Sequence, residues 1–181
     1  MRFQGATHTD LIKRGKVLTP VEFGHKVFLA ESAQGLITQY DVLNGNPRDS
    51  DHVEASLSRH QATFGSVPQL YGSDRGFFTE ENLAACQRSG VEMACIPQRG
   101  GTKGVEREAH EKSPAFKKGQ RFRAGIEGRI SVLFRGRGMK RCLAEGRERF
   151  ELLVGAAVLA NNLLTIASLM QKRSASRRRA A

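Results

Sequence analysis

Two carboxylates and one arginine are the residues whose types and spacing could do chemistry: Asp74, Glu127 and Arg123. Asp74 closes the run Val67-Pro68-Gln69-Leu70-Tyr71-Gly72-Ser73, which reads as a short apolar strand. A carboxylate at the C-terminal end of a strand faces the crevice where open α/β sheets bind their ligands. The plainer reading is that Asp74 supports the turn through Arg75 and Gly76, a common task for aspartate. Glu127 follows Arg123 by four residues in Arg121-Phe122-Arg123-Ala124-Gly125-Ile126-Glu127. On a helix that spacing sets guanidinium and carboxylate one turn apart. The two are either an ordinary surface ion pair or a metal-binding carboxylate beside a phosphate-binding arginine.

The elements that must position these residues can be read from periodicity. Asp74 is followed by a helix from Thr79 to Ser89, with Thr79 as its cap, Glu80 and Glu81 in its first turn, and Gly90 as its stop. Val91 to Ile96 is a second short apolar strand. Strand, helix and strand with short connections make a βαβ unit, so the two strands should be parallel neighbours. Upstream, residues 21–30 alternate as a strand, and Leu36 to Leu43 forms another after the turn Ala33-Gln34-Gly35. Together they read as an antiparallel hairpin. Asp49 to Phe64 reads as a helix that Ser50 or Asp49 could cap, stopped by Gly65.

The rest is less regular. Residues 1–20 are polar and basic and read as a loose lead-in segment. Gln98 to Gln120 reads as a long loop with one short polar helix at most, and loops of that length are often functional. A helix carrying Arg123 and Glu127 begins at Arg121, with Phe122, Ile126, Ile130, Leu133 and Phe134 on one side. Gly125 and Gly128 weaken it by about 1 kcal/mol each relative to Ala, and close backbone approach is one reason to keep them. Arg135 to Arg141 is a basic, Gly-rich turn. The last helix runs from about Glu145 to Gln171. Its Leu152 to Met170 stretch raises a transmembrane question, but Asn161 and Asn162 at its middle favour a buried core helix. Residues 172–181 read as a disordered basic tail.

Composition narrows the partners. The 181 residues suffice for one domain with a core. The formal net charge of +11 favours a polyanion, nucleic acid first. The excess is clustered in the Lys117 to Arg149 region and in Arg177-Arg178-Arg179. Cys86, Cys95 and Cys142 form no CxxC pair, which suits a reducing cytoplasm and argues against a disulfide framework or zinc site. The first ten residues have no apolar core of a signal peptide.

Four segments in order carry a resemblance: Pro20 to Val27, Val42 to Asp49, Gly72 to Phe77, and Gln120 to Ile130 with Arg-x-x-x-Glu at its centre. In these the chain resembles, from Thr9 to about Ala167, the C-terminal part of a DDE transposase of a bacterial insertion sequence. The resemblance implies an α/β fold: an RNase H-like mixed sheet flanked by helices, N-terminally truncated, over residues 21–171. It implies metal-dependent DNA strand cleavage and transfer. Asp74 matches the second aspartate and Glu127 the glutamate of an Asp-Asp-Glu triad that holds Mg²⁺ or Mn²⁺. Two such ions would activate the attacking hydroxyl and clamp the attacking and leaving oxygens.

Arg123 matches the arginine before the glutamate, with Arg121, Arg129, Arg135 and Lys140 as further phosphate contacts. Where the family often carries a lysine after the glutamate, this chain has Phe134. The partners implied are the double-stranded DNA of transposon ends and a second protomer, with no membrane, in the cytoplasm and on the nucleoid when DNA is bound. The triad's first aspartate should sit on a strand before residue 21. Only Asp10 is available there, in a polar run unlike a buried strand. The chain therefore reads as a transposase fragment with little or no strand-transfer activity alone. The competing readings are a non-enzymatic basic DNA-binding remnant and a plain α/β domain with a solvated basic face.

Overall fold

The computed structural model describes residues 10–13, 21–137 and 146–180. They fall into two compact units, one of the described residues up to 46 with those from 129 onward, the other of residues 47–128.

The second unit holds the βαβ motif. Its 3₁₀ turn Asp49–His52 leads into α1 (Val53–Phe64), and Gly65 ends that helix at φ 71°, a left-handed conformation suited to glycine. The expected side-chain cap by Ser50 or Asp49 is not made; Arg48 and His52 occupy the two cap positions, and neither makes a side-chain capping bond. Strand β5 (Leu70–Gly72) and strand β6 (Met93–Cys95) pair in parallel, Tyr71 opposite Ala94, with α2 (Glu80–Arg88) between them. The Thr79 hydroxyl accepts from Asn82 N at 3.0 Å, the cap read from the sequence. The core of this unit is Val53, Leu57, Cys86, Val91 and Ile96.

The stretch expected as a loop is mostly helical. Helix α3 spans Val105–Lys112 and α4 spans Pro114–Gly136. The earlier start of α4 has a local cause. Pro114 stands at the first helical position, where its fixed φ fits, and the Ser113 hydroxyl caps the helix by accepting from Phe116 N at 3.2 Å. Polar residues over 105–120 hid the periodicity. Phe116 and Gly119 are nevertheless buried, and Glu111 binds Gln98 N, Lys103 and Arg107.

The first unit holds two antiparallel ladders. The run 21–30 is not one strand. It breaks at His25 into β2 (Val21–Gly24) and β3 (Val27–Glu31). Strand β3 pairs with β4 (Ile37–Val42) as the expected hairpin, with an irregularity between Ala30 and Glu31. Strand β2 pairs instead with β1 (Asp10–Lys13), placing Asp10 opposite Gly24. The lead-in segment thus contains a strand, and Asp10 opens it. Pairing to β2 supplies order that the polar run's own pattern did not reveal. Among the described residues the strands form three two-stranded sheets, where one mixed sheet was expected. The protein is mixed α/β and mostly helical.

Helix α5 (Arg147–Ala180) is a further departure. One stripe of it, Val154, Ala157, Val158 and Asn161, is buried; the first three pack with Ile37, Val42 and Leu133. The neighbouring Asn162 amide accepts from Ile37 N at 2.9 Å and donates to Ile37 O at 2.8 Å, locking the helix onto β4. Its opposite side is exposed and apolar, so this is not a fully buried core helix. It is long and apolar enough to cross a membrane by length and composition, with 22% of its apolar window buried. The basic residues 172–180 continue the helix where a disordered tail was expected. Lys, Arg, Gln and Ala are good helix formers, and cations favour the C-terminal end of the dipole.

Candidate functional site

The C-terminal ends of β5 and β6 are bound to α4. Gln120 donates from Nε2 to the main-chain oxygens of Ser73 at 3.1 Å and Cys95 at 2.5 Å. Above this anchor the helix and strand come close. A Cβ on Gly72 would lie 3.4 Å from Gly119 O and 3.7 Å from Arg123 Cβ. A Cβ on Gly119 would strike Cys95 Sγ and stand 3.2 Å from Leu70 Cδ1. Glycine at 119 is therefore the close approach between helix and strand. Gly125 and Gly128, where such an approach was expected, meet nothing within 4 Å.

Around this junction the predicted residues separate. Asp74 is exposed at the strand end, and its Oδ1 accepts from Gly76 N at 2.7 Å. It caps the short 3₁₀ turn Arg75–Phe77. Arg123 and Glu127 do meet, Nη1 to Oε1 at 3.1 Å, with Glu127's side chain 69% exposed. Glu127 lies seven residues beyond Gln120, about 10 Å along the helix. The structure thus brings Arg123 beside β5 and pairs it with Glu127, while the carboxylates of Asp74 and Glu127 turn to different partners. Two buried polar atoms at this junction, Ser73 Oγ and Arg123 Nε, have no hydrogen-bond partner.

The remaining cations divide by burial. Arg129 is committed internally: its Nε meets Glu31 Oε1 at 3.1 Å, and its guanidinium occupies the space beside Gly35. Arg121 and Arg135 are exposed, as are Lys117, Lys118 and the α5 run Lys172, Arg173 and Arg177 to Arg179. Lys140 lies outside the described residues, as does Cys142.

One carboxylate escaped the sequence reading in this role. Asp49, read as a helix cap, brings Oδ2 to 2.9 Å from where Gly76 would carry a Cβ, and Asp74 Oδ1 stands at the same distance. The signal was long-range: twenty-five residues separate the two aspartates, and no local spacing links them.

Carboxylate oxygens are the right donors for Mg²⁺ or Mn²⁺. The residues present nevertheless do not close such a site. Asp74 is bonded to the turn, Glu127 to Arg123, and among the described residues no three His, Cys, Asp or Glu side chains gather where they could hold a metal ion. The thiols are equally quiet. Cys86 and Cys95 are free and buried, and burial pushes the Cys86 thiol up to about 11 and raises that of Cys95.

Neither a protein-family model, nor a curated protein, nor a solved structure matches this chain.

Proposed function

We propose that this is a transposase-derived protein that engages the phosphate backbone of double-stranded DNA and does not join DNA ends by itself. The observation that carries the reading is the docking of the Arg123–Glu127 helix against the strand that leads to Asp74, through Gln120. That juxtaposition agrees with the ordered resemblance of the motifs to DDE transposases, in which an RNase H-like sheet presents an aspartate beside a helix bearing Arg-x-x-x-Glu.

The chemistry of engagement follows from charge. Exposed lysines and arginines on α4 and at the end of α5 neutralise phosphates and release counterions, which needs neither metal nor a particular base sequence. Arg123 carries its own carboxylate partner, so a phosphate at that position must compete with Glu127. Two carboxylates turned to separate partners give no clamp for a pair of cations, and no strand-transfer step is assigned to this chain. On this reading the protein works in the cytoplasm, on the nucleoid when bound.

A gel-shift and end-joining assay on the full chain tests both halves. The expected result is retardation of duplex DNA at low salt and no joined product with Mg²⁺ or Mn²⁺. Joined product that disappears in Asp74→Ala would overturn the inactive half. Absence of any DNA binding at low salt would overturn the reading altogether.

The second reading, a basic DNA-binding protein without transposase ancestry, is favoured by the turn-capping role of Asp74. It predicts the same binding. It differs in requiring nothing of the Gln120 junction.

A further inference from the structure

The exposed side of α5 carries an apolar repeat. Leu152, Ala156, Leu159, Leu163, Ile166 and Met170 follow one another at alternating steps of four and three, and all are exposed. Leu152 is 73% exposed, Leu159 61% and Met170 63%. That alternation is the a/d seam of a coiled coil, which keeps one apolar stripe turned toward a partner helix. The stripe lies away from the residues that hold α5 on β4, Val154, Ala157, Val158 and Asn161. It also ends sharply, with Arg149 before it and Arg173 after it.

We infer that this stripe is a self-association surface, on which a second copy of this chain docks its own α5 antiparallel. Self-complementarity supports that occupant. With Asn161 at the centre, Leu152 faces Met170, Ala156 faces Ile166 and Leu159 faces Leu163, so the seam maps onto itself, as a two-fold interface requires. Charge selects the direction. The start of α5 holds Glu148 and Glu151 beside Arg147 and Arg149 and so carries no net charge, while its end holds Lys172, Arg173 and Arg177 to Arg179. Antiparallel, Arg149 lies opposite Arg173, but Glu148 lies opposite Ser174, one position from Arg173 and three from Arg177, and Glu151 lies opposite Gln171, beside Lys172, so the basic end meets a neutral one. Parallel, each cation of the basic end meets its own copy. Glu151 also keeps its intrachain pair with Arg147 at 2.8 Å, leaving Glu148 as the freer acid of the two. The hollow beside Leu152 and Ala156, walled by Tyr40, then receives Met170 of the second copy.

The test uses the full chain. Sedimentation equilibrium up to about 100 µM is expected to give twice the 19.9 kDa chain mass, and Leu159→Glu with Leu163→Glu to restore the single mass with unchanged helical circular dichroism. Spin labels on Ser174→Cys, in a Cys142→Ser background, should lie about 39 Å apart along the seam in the antiparallel pair, against about 10 Å in a parallel one. A monomer at every concentration overturns the inference, as does a short label distance. A monomer that binds vesicles through the same leucines would assign the stripe to a lipid surface instead. Should the double variant unfold, the mass and label distance of the parent chain still decide.

Discussion

The side-chain amide of Gln120 donates to the main-chain oxygen of Ser73 at 3.1 Å, two residues of one unit that stand 47 apart in the chain. Through that bond, and its companion to Cys95, α4 is fixed to the end of the parallel strand pair. Gln120→Leu keeps the volume and removes the donors. The partly buried Ser73 carbonyl then loses this partner, while the Cys95 carbonyl keeps only Ser73 N, at a cost of about 1–3 kcal/mol. Urea unfolding should show a lower midpoint with an unchanged slope.

The helix glycines should split into two classes. Gly119→Ala places a methyl against Cys95 and Leu70, and overpacking of that kind costs about 1–3 kcal/mol. Gly125→Ala and Gly128→Ala meet nothing and gain helix propensity, about 1 kcal/mol each. Thermal melts of the three variants measure the contrast. A destabilised Gly125→Ala would mean that another surface covers that side of α4.

This contrast marks what the sequence could and could not reveal. The βαβ unit was legible because strand, capped helix and strand lie within thirty residues, each with a local stop signal. So was the hairpin at Gly35. The pairing of Asp10–Lys13 with Val21–Gly24 was not, because a strand of four residues is too short to show a period and owes its order to its neighbour. The true close-approach glycine, Gly119, lay in a stretch whose lysines and glutamates masked a helix. At the candidate site, the Arg123–Glu127 pair followed from spacing alone. The turning of Asp74 toward Gly76, and the arrival of Asp49 beside it, are long-range geometry that spacing does not encode.

Arginines that looked alike in sequence should behave differently. Arg129→Ala strands the Glu31 carboxylate, whose side chain is only 10% exposed. It should cost about 1.5–3 kcal/mol of stability, the range for hydrogen bonds to charged groups, and leave DNA affinity nearly unchanged. Arg121→Ala and Arg135→Ala remove exposed cations. Each should leave stability within about 0.5 kcal/mol and lower the salt dependence of DNA binding by about one unit of slope. Parallel unfolding and anisotropy titrations of the three variants separate the roles.

Alkaline pH should weaken the fold through its buried acids. Burial raises the Cys86 thiol from 9.0 to about 11 and pushes the Tyr71 phenol above its usual 10.0. The folded state thus holds these protons more tightly than the unfolded chain. The resulting stability is complete below pH 9 and is lost as pH climbs from 9 toward 11 and beyond. Unfolding free energy measured from pH 7 to 11 should be flat at first and then decline. Cys86→Ala should flatten part of the decline.

The most direct measurement is fluorescence anisotropy of a labelled DNA duplex titrated with the full chain, in rising salt, with EDTA or with Mg²⁺. The account predicts binding at low salt in EDTA, a steep linear fall of log affinity with log salt, and no change in Asp74→Asn or Glu127→Gln beyond the charge removed. Affinity that appears only with Mg²⁺ and vanishes in Asp74→Asn would contradict it, and would place a working metal site where the structure shows two separately engaged carboxylates.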